Sequence, residues 1–346
     1  MLYSKVYIES FGYELAPNVV TSDDIEDRLA PLYTALRFQK GQLEALTGIR
    51  ERRFWDPDYK MHEGAIMAGR KAMDNSIVSP EEIGMLIYGG VCRDNLEPAT
   101  ACAVSDGLGL GPDIQIYDVS NACLGVLNGM VQVANAIELG QIRAGLVVSC
   151  ESARQIVDTT IERLLETRDM EDFKKKIATL TGGSGAVAVL MTDASASNSG
   201  HRLLGGVIRS AAAHHKLCRW GPDTGIPASG LHSMETDSIG VLKHGVTLGI
   251  ETFKAFKKKL SWPEDKPDKV ICHQVGDTHQ QKILESIGIP RQKDFTTFKF
   301  LGNIGTVSLP ITAAIADERG FLVKNDLVGF FGIGSGLNCL MLGIKW

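Results

Sequence analysis

The chain has 346 residues, 44% hydrophobic and 22% charged, a balance ordinary for a water-soluble globular protein of two domains or two lobes. Its 36 basic and 41 acidic residues leave a net charge of −5, which excludes the basic footprint of a nucleic-acid binder. No apolar run reaches the roughly 18 residues of a membrane span. The N-terminal MLYSKVYIESFGYELAP lacks the build of a secretory signal and reads as a first strand, so a cytoplasmic location is expected. Seven scattered cysteines form no C-x-x-C pair, which argues against zinc and against a disulfide framework.

Strand-like and helical runs alternate along the chain. IGMLIYGGV (83–91), IQIYDV (114–119), RAGLVVSCE (143–151) and GAVAVLMTD (185–193) are apolar and read as strands of a buried sheet. Over 122–139, Leu124, Leu127, Met130, Val131, Ala134 and Ile137 recur at helical spacing, and Gly140 ends the run. The stretch 153–180 is a helical insertion. The second half gives strands LLGGVIRSAA (203–212), KVICHQV (269–275), DLVGFFGIGSG (326–336) and NCLMLGIKW (338–346), with a helix over about 250–260. This alternation predicts an α/β fold.

The halves, 1–195 and 196–346, repeat one order of features: a buried strand, a corner, a strand ending in SCES or GIGSG, and a final strand. Val91 and Cys123 are 32 residues apart; His273 and Asn303 are 30 apart. The match predicts an internal duplication in which the Cys123 and Asn303 corners are pseudo-equivalent and meet at one site.

Cys123, in YDVSNACLGVLNGM (117–130), stands at a strand-to-helix corner. Backbone N–H groups and the positive helix end at such a corner favour thiolate. Position alone does not separate a reactive thiol from a packing one. His273 in ICHQV and Asn303 in GNIGTVSLP supply the rest of a centre: a thiol to carry an acyl group as a thioester, and two donors for an oxygen that becomes negative.

The Cys, His, Asn order, with TGIRERR (47–53), GGSGAVAVLM (182–191) and GIGSGLNCLM (332–341), resembles the thiolase-superfamily condensing enzymes of the 3-oxoacyl-acyl-carrier-protein synthase III type over the whole chain. The resemblance implies a duplicated five-layer αβαβα thiolase fold with two mixed sheets, an obligate homodimer, and Claisen condensation of acyl thioesters through acyl-Cys123. It also implies an oxyanion hole from the N–H groups of Cys123 and Gly336. Three features depart from the common pattern. Gln42 and Leu46 occupy the places of the coenzyme A-gripping Trp and Arg, the histidine motif is HQVGDTHQQ, and the asparagine motif is GNIGTVSLP. With RDNLEPATA (93–101) and HKLCRW (215–220), these make the chain similar to a narrower group, the OleA acyl-CoA condensing enzymes of bacterial long-chain olefin synthesis.

That resemblance implies head-to-head condensation of two fatty acyl-CoA molecules to a 2-alkyl-3-ketoacyl product, with Glu97 reaching across the dimer as general base. The chemistry requires such a group: with no malonyl carboxylate to lose, something must remove an α-proton, and burial in an apolar channel makes a carboxylate a better base. The implied partners are acyl-CoA, a second copy of the chain, and an acyl carrier protein or downstream olefin-pathway enzymes. The 153–180 insertion would cap the substrate tunnels.

Other readings stay in view. Decarboxylative condensation with malonyl-acyl-carrier protein would need no Glu97. Acyl transfer to an alcohol or amine would form no carbon–carbon bond. A non-catalytic scaffold of the same fold would carry no acyl group. His279 reads as a residue at the surface or beside the site, Cys272 as packing, and KAFKKKL (254–260) as a solvated helix face or a docking patch for an acidic carrier. No metal or redox cofactor is expected: His214 and His215 have no further ligands nearby, and GIGSG lacks both the third glycine and the following helix of a dinucleotide site.

Overall fold

The computed structural model describes residues 1–222 and 232–346. Its strands are β1 (Val6–Leu15), β2 (Asn18–Thr21), β3 (Glu51–Phe54), β4 (Ile83–Gly89), β5 (Gln115–Val119), β6 (Ala144–Glu151), β7 (Gly185–Asp193), β8 (Arg202–Ser210), β9 (Cys218–Pro222), β10 (His232–Thr236), β11 (Lys269–Cys272), β12 (Leu327–Gly334) and β13 (Asn338–Lys345). Nine of them lie in the order β11-β12-β13-β8-β1-β7-β6-β4-β5. The two expected mixed sheets are its two halves, joined where β1 meets β8 at Tyr7 and Arg202.

The duplication is visible in the pairing. In the first half β1–β7 and β7–β6 are antiparallel and β6–β4 is parallel. In the second, β8–β13 and β13–β12 are antiparallel and β12–β11 is parallel. The first half adds β5, parallel to β4; the second has there only a single parallel bridge, Val270 to Asp294.

Side-chain alternation builds the layers. Val187, Val189 and Met191 of β7 face a central core shared with helices Gly125–Glu138 and Ser308–Glu318, while Ala186, Ala188 and Leu190 face helices Met61–Asp74 and Thr100–Leu108. On the other half, Leu340, Leu342 and Ile344 of β13 face the same centre, and Cys339 and Met341 face helices Ser238–Leu260 and Asp277–Ile287. The result is helices, sheet, helices, sheet, helices. Each buried Val, Leu or Ile contributes about 1.5–3 kcal/mol, so a one-residue slip, which would exchange the faces, is strongly opposed.

Helix Ser238–Leu260 is longer than the expected 250–260. Gly240, Val241, Gly245 and Gly249 weaken its N-terminal half by propensity. Packing restores it: a Cβ on Gly249 would stand 2.6 Å from Ile283, and Asp237 caps the start by accepting from Gly240 N–H at 2.9 Å. The 153–180 insertion forms helices Arg154–Thr167 and Met170–Lys176. Its Ile156, Val157, Ile161, Leu164 and Phe173 share a separate cluster with Ile25, Leu29 and Leu32 near the N-terminus.

Candidate active site

Cys123 lies in the turn between β5 and helix Gly125–Glu138, which begins three residues later than its periodicity suggests. Ala122 before it is held at φ 46°, a left-handed conformation that a β-carbon disfavours. Leu124 N–H donates to the Asn121 carbonyl at 2.9 Å, closing the turn. The helix start presses on the end of β4: a Cβ on Gly125 would stand 2.8 Å from the Gly89 carbonyl, so the approach requires glycine there.

The expected thiolate is not the resting state. Burial pushes the Cys123 thiol up to about 12, with Cys218 and Glu151 adding to it, against an opposing backbone hydrogen bond. The helix starts at Gly125 with Leu124 as its N-cap, so Cys123 lies outside its first turn.

His273 follows β11. Ile271 points into the central core and Cys272 into the outer cluster, so alternation returns His273 to the central side. Cys272 is packing, as expected. The His273 N–H donates to the Phe331 carbonyl of β12 at 2.9 Å. Three residues on, a Cβ on Gly334 would lie 3.3 Å from the Cys123 nitrogen. The Cys123 turn and His273 therefore both adjoin the C-terminal end of β12. Burial, and then the nearby His279, lowers His273 to about 4, so its imidazole is neutral at pH 7. His279 stands beside the site rather than on open surface, half-buried, with its own pKa lowered by burial.

Asn303 is fixed by its backbone to the 181–183 segment: its N–H donates to Thr181 at 2.9 Å and its carbonyl accepts from Gly183 at 3.0 Å. Its Oδ1 accepts from Gly305 N–H at 3.1 Å, leaving the amide N–H groups to donate outward. At the residue after Gly305 the geometry crosses between halves. Thr306 Oγ1 accepts from Val126 N–H at 2.8 Å. Leu124, the N-cap, makes no side-chain cap, so the Cys123 helix is capped by a residue of the Asn303 turn.

Gly336 lies in the turn from β12 to β13, and this turn is tied to the Cys123 turn by side-chain amides. Asn338 Nδ2 donates to Asn121 Oδ1 at 3.1 Å, and Asn121 Nδ2 donates to Asn128 Oδ1 at 2.7 Å. Glu97 stands apart within its own chain. It is exposed and makes no hydrogen bond or ion pair among the described residues. Its loop is pinned at both ends: Asp94 accepts from Met61 and His62 N–H groups, and Asp118 of β5 accepts from Thr100 and Ala101 N–H groups. Glu97 thus projects near β5, the edge strand of the sheet. Gln42 and Leu46 sit on the short helix Gln42–Thr47, with Leu46 exposed.

Among the described residues, no group of three or more His, Cys, Asp or Glu side chains is placed to hold a metal ion, and no helix is long and apolar enough to cross a membrane. His214 stacks instead on His244, ring centroids 3.8 Å apart. Sequence reasoning missed Thr306, Asn338 and Glu151. The first lies inside the quoted GNIGTVSLP, the second follows GIGSG, and the third ends SCE, but no local spacing marks any of them as a partner of Cys123.

Comparison with known proteins agrees with this architecture. The family models for 3-oxoacyl-[acyl-carrier-protein] synthase III and for its C-terminal region match residues 117–211 and 258–346. The acyl-CoA:acyl-CoA alkyltransferase of Shewanella oneidensis (strain MR-1) is 52% identical over 349 residues, covering 100% of both chains. That of Xanthomonas campestris pv. campestris is 38% identical, also over 100% of both. Cerulenin-bound Xanthomonas OleA superposes with a TM-score of 0.94 at 38% identity, covering 100% of this chain and 98% of that one. A Cys-to-Ser variant of that protein, solved with lauric acid and lauroyl-CoA, superposes with a TM-score of 0.93 at 38% identity over 100% of both chains. These likenesses define a thiolase-type condensing fold. The chain belongs to the 3-oxoacyl-[acyl-carrier-protein] synthase III family.

Proposed function

We propose that this protein is an acyl-CoA:acyl-CoA alkyltransferase, condensing two fatty acyl-CoA molecules head to head. The carrying observation is the full-length similarity to alkyltransferases at 52% identity, in a chain whose Cys123 turn and His273 adjoin one end of β12 and whose Asn303 turn reaches the Cys123 helix through Thr306. Solved variants of Xanthomonas OleA alter a cysteine, a glutamate and a histidine, the residue types assigned here to nucleophile, base and donor.

In the first half-reaction the Cys123 sulfur attacks an acyl-CoA carbonyl. A bond from sulfur to the acyl carbon forms, the bond to coenzyme A breaks, and coenzyme A leaves as its thiol. Because the resting thiol holds its proton, attack needs a base; neutral His273 is the candidate. The N–H groups of Cys123 and Gly336 stabilise the tetrahedral oxyanion.

In the second, Glu97 of the partner subunit removes an α-proton from a second acyl-CoA. His273 and Asn303 donate to the enolate oxygen, and Asn303 suits this because its Oδ1 is already occupied. The α-carbon attacks the acyl-Cys123 carbonyl, the carbon–sulfur bond breaks, a 2-alkyl-3-ketoacyl-CoA leaves, and the Cys123 thiolate regains its proton as Glu97 releases the one it took up. The dimer required for this is supported by the exposure of Glu97 and its place near the open edge at β5.

The test uses purified protein and one long-chain acyl-CoA without a malonyl donor, with thiol release and product masses followed together. A carbon–carbon coupled β-keto product, absent in Glu97→Ala, is expected. An acyl-enzyme that turns over only when malonyl-carrier protein is added would refute the head-to-head reading.

A further inference from the structure

Glu151, the last residue of β6, has no part in the steps above, yet it touches two pieces of the site and its charge reaches a third. It is 4% exposed. One carboxylate oxygen accepts from Val91 N–H at 2.9 Å and the other from Cys92 N–H at 3.2 Å. Those two residues are the root of the loop that carries Glu97. The Glu151 stem lies under the Asn303 turn: a Cβ on Gly305 would stand 3.4 Å from its Cγ and 3.5 Å from its Cδ, and Gly305 itself adopts φ +60°. Its charge also reaches the Cys123 sulfur.

Burying a carboxylate without an ion pair is costly, and among the described residues Glu151 has none. Two acceptor oxygens are what the site uses: the adjacent Val91 and Cys92 N–H groups each need one, and a glutamine would offer a single oxygen. The titratable groups around Glu151 are Tyr88 of β4, Cys92 and Arg93 of the loop, Cys150 beside it, and Cys123. Burial holds Tyr88, Cys92 and Cys150 neutral and raises Glu151 above the ordinary carboxylate value, opposed by the hydrogen bonds from Val91 and Cys92 and then by the charge of Arg93.

We propose that Glu151 is a positioning residue for the condensation step, its carboxylate fixing the root of the loop whose Glu97 serves the partner subunit's site while its stem packs beneath the Asn303 turn of its own. The proposal rests on the reading of Glu97 as the base. Losing the link leaves acylation of Cys123 in place, since that half-reaction does not use Glu97, and moves the base out of register with the second acyl chain. A misplacement of ~1 Å costs about a hundredfold in rate.

The experiment compares wild type, Glu151→Gln and Glu151→Asp by three readouts: acylation of Cys123 followed by intact mass, coupled product from one long-chain acyl-CoA, and the pH profile of Cys123 alkylation by iodoacetamide. Glu151→Gln is expected to acylate, to lose condensation by about a hundredfold, and to move the alkylation profile to lower pH because a nearby negative charge is gone. Glu151→Asp keeps the charge and loses the reach, so it should leave the alkylation profile in place and still lose condensation. If Glu151→Gln does not fold, the aspartate variant alone decides. Condensation within about twofold of wild type in a folded variant, well below the hundredfold expected, overturns the role of Glu151. A wild type that acylates but forms no coupled product instead overturns the condensation reading, and this role with it.

Discussion

The Thr306 cap is one contact through which the C-terminal half holds the Cys123 helix, and its removal has a calculable cost. Thr306→Val keeps shape and replaces the hydroxyl with a methyl group. Thr306 is 2% exposed and Val126 is fully buried, so no water can substitute for the lost acceptor. An orphaned buried N–H costs about 1–3 kcal/mol, and N-cap losses run about 0.5–2 kcal/mol, which together point to about 1–2 kcal/mol here. With a shift of about 2–4 °C per kcal/mol for chains of 150–250 residues and less for longer ones, Tm should fall by about 2–4 °C. Acylation of Cys123 should slow as well, because the turn it occupies loses its support. Thr306→Ser, which keeps the hydroxyl, is the control: it should retain acylation near the wild-type rate. Thermal unfolding and single-turnover acylation by intact mass read both effects. A valine variant as stable and as readily acylated as wild type would refute the idea that the cap matters.

Three further outcomes follow from the site. With the Cys123 thiol held near 12, its alkylation by iodoacetamide should climb about tenfold per pH unit between pH 7 and 10; a plateau below pH 8 would contradict the protonated resting state of this half-buried thiol. His273, lowered from 6.5 to about 4, binds its proton less readily folded than unfolded, so its contribution to stability is lost as pH falls from 6.5 towards 4. Asp294, raised from 3.8 to about 7 chiefly by burial, acts in the opposite sense, and its contribution falls away as pH rises from 3.8 to 7. The two slopes oppose each other, so Asp294→Asn should unmask a clear loss of stability on acidification in pH-dependent unfolding. Glu97→Ala should abolish coupling while sparing acylation, read by product mass and by intact mass of the enzyme.

Much of the fold was legible because it depends on local pattern. β7 announces its two faces by alternating Val187, Val189 and Met191 against Ala186, Ala188 and Leu190, and the repeat of strand order between halves is visible before any pairing is known. The Cys123, His273 and Asn303 motifs were legible as residue types in order. The ionisation of Cys123 was not, because it depends on burial and on Cys218 and Glu151, which come from other elements. The cap was missed for a related reason. Cap signals are sought within three residues of a helix start, whereas Thr306 lies 180 residues from Val126. The start of helix Ser238–Leu260 was hidden by glycines that lower propensity while permitting the close packing that makes it a helix.

The two halves are unequal at their outer margins. The first ends in β5, a five-residue strand whose far side pairs with no strand among the described residues; the second ends in the four-residue β11, flanked by the Val270–Asp294 bridge. A sheet with two usable margins can add copies without limit and build a filament. With β5 open and β11 flanked by the bridge, the two margins of this sheet are not equivalent templates. The bridge beside β11 therefore takes away one of the two templates that an edge-to-edge filament would need.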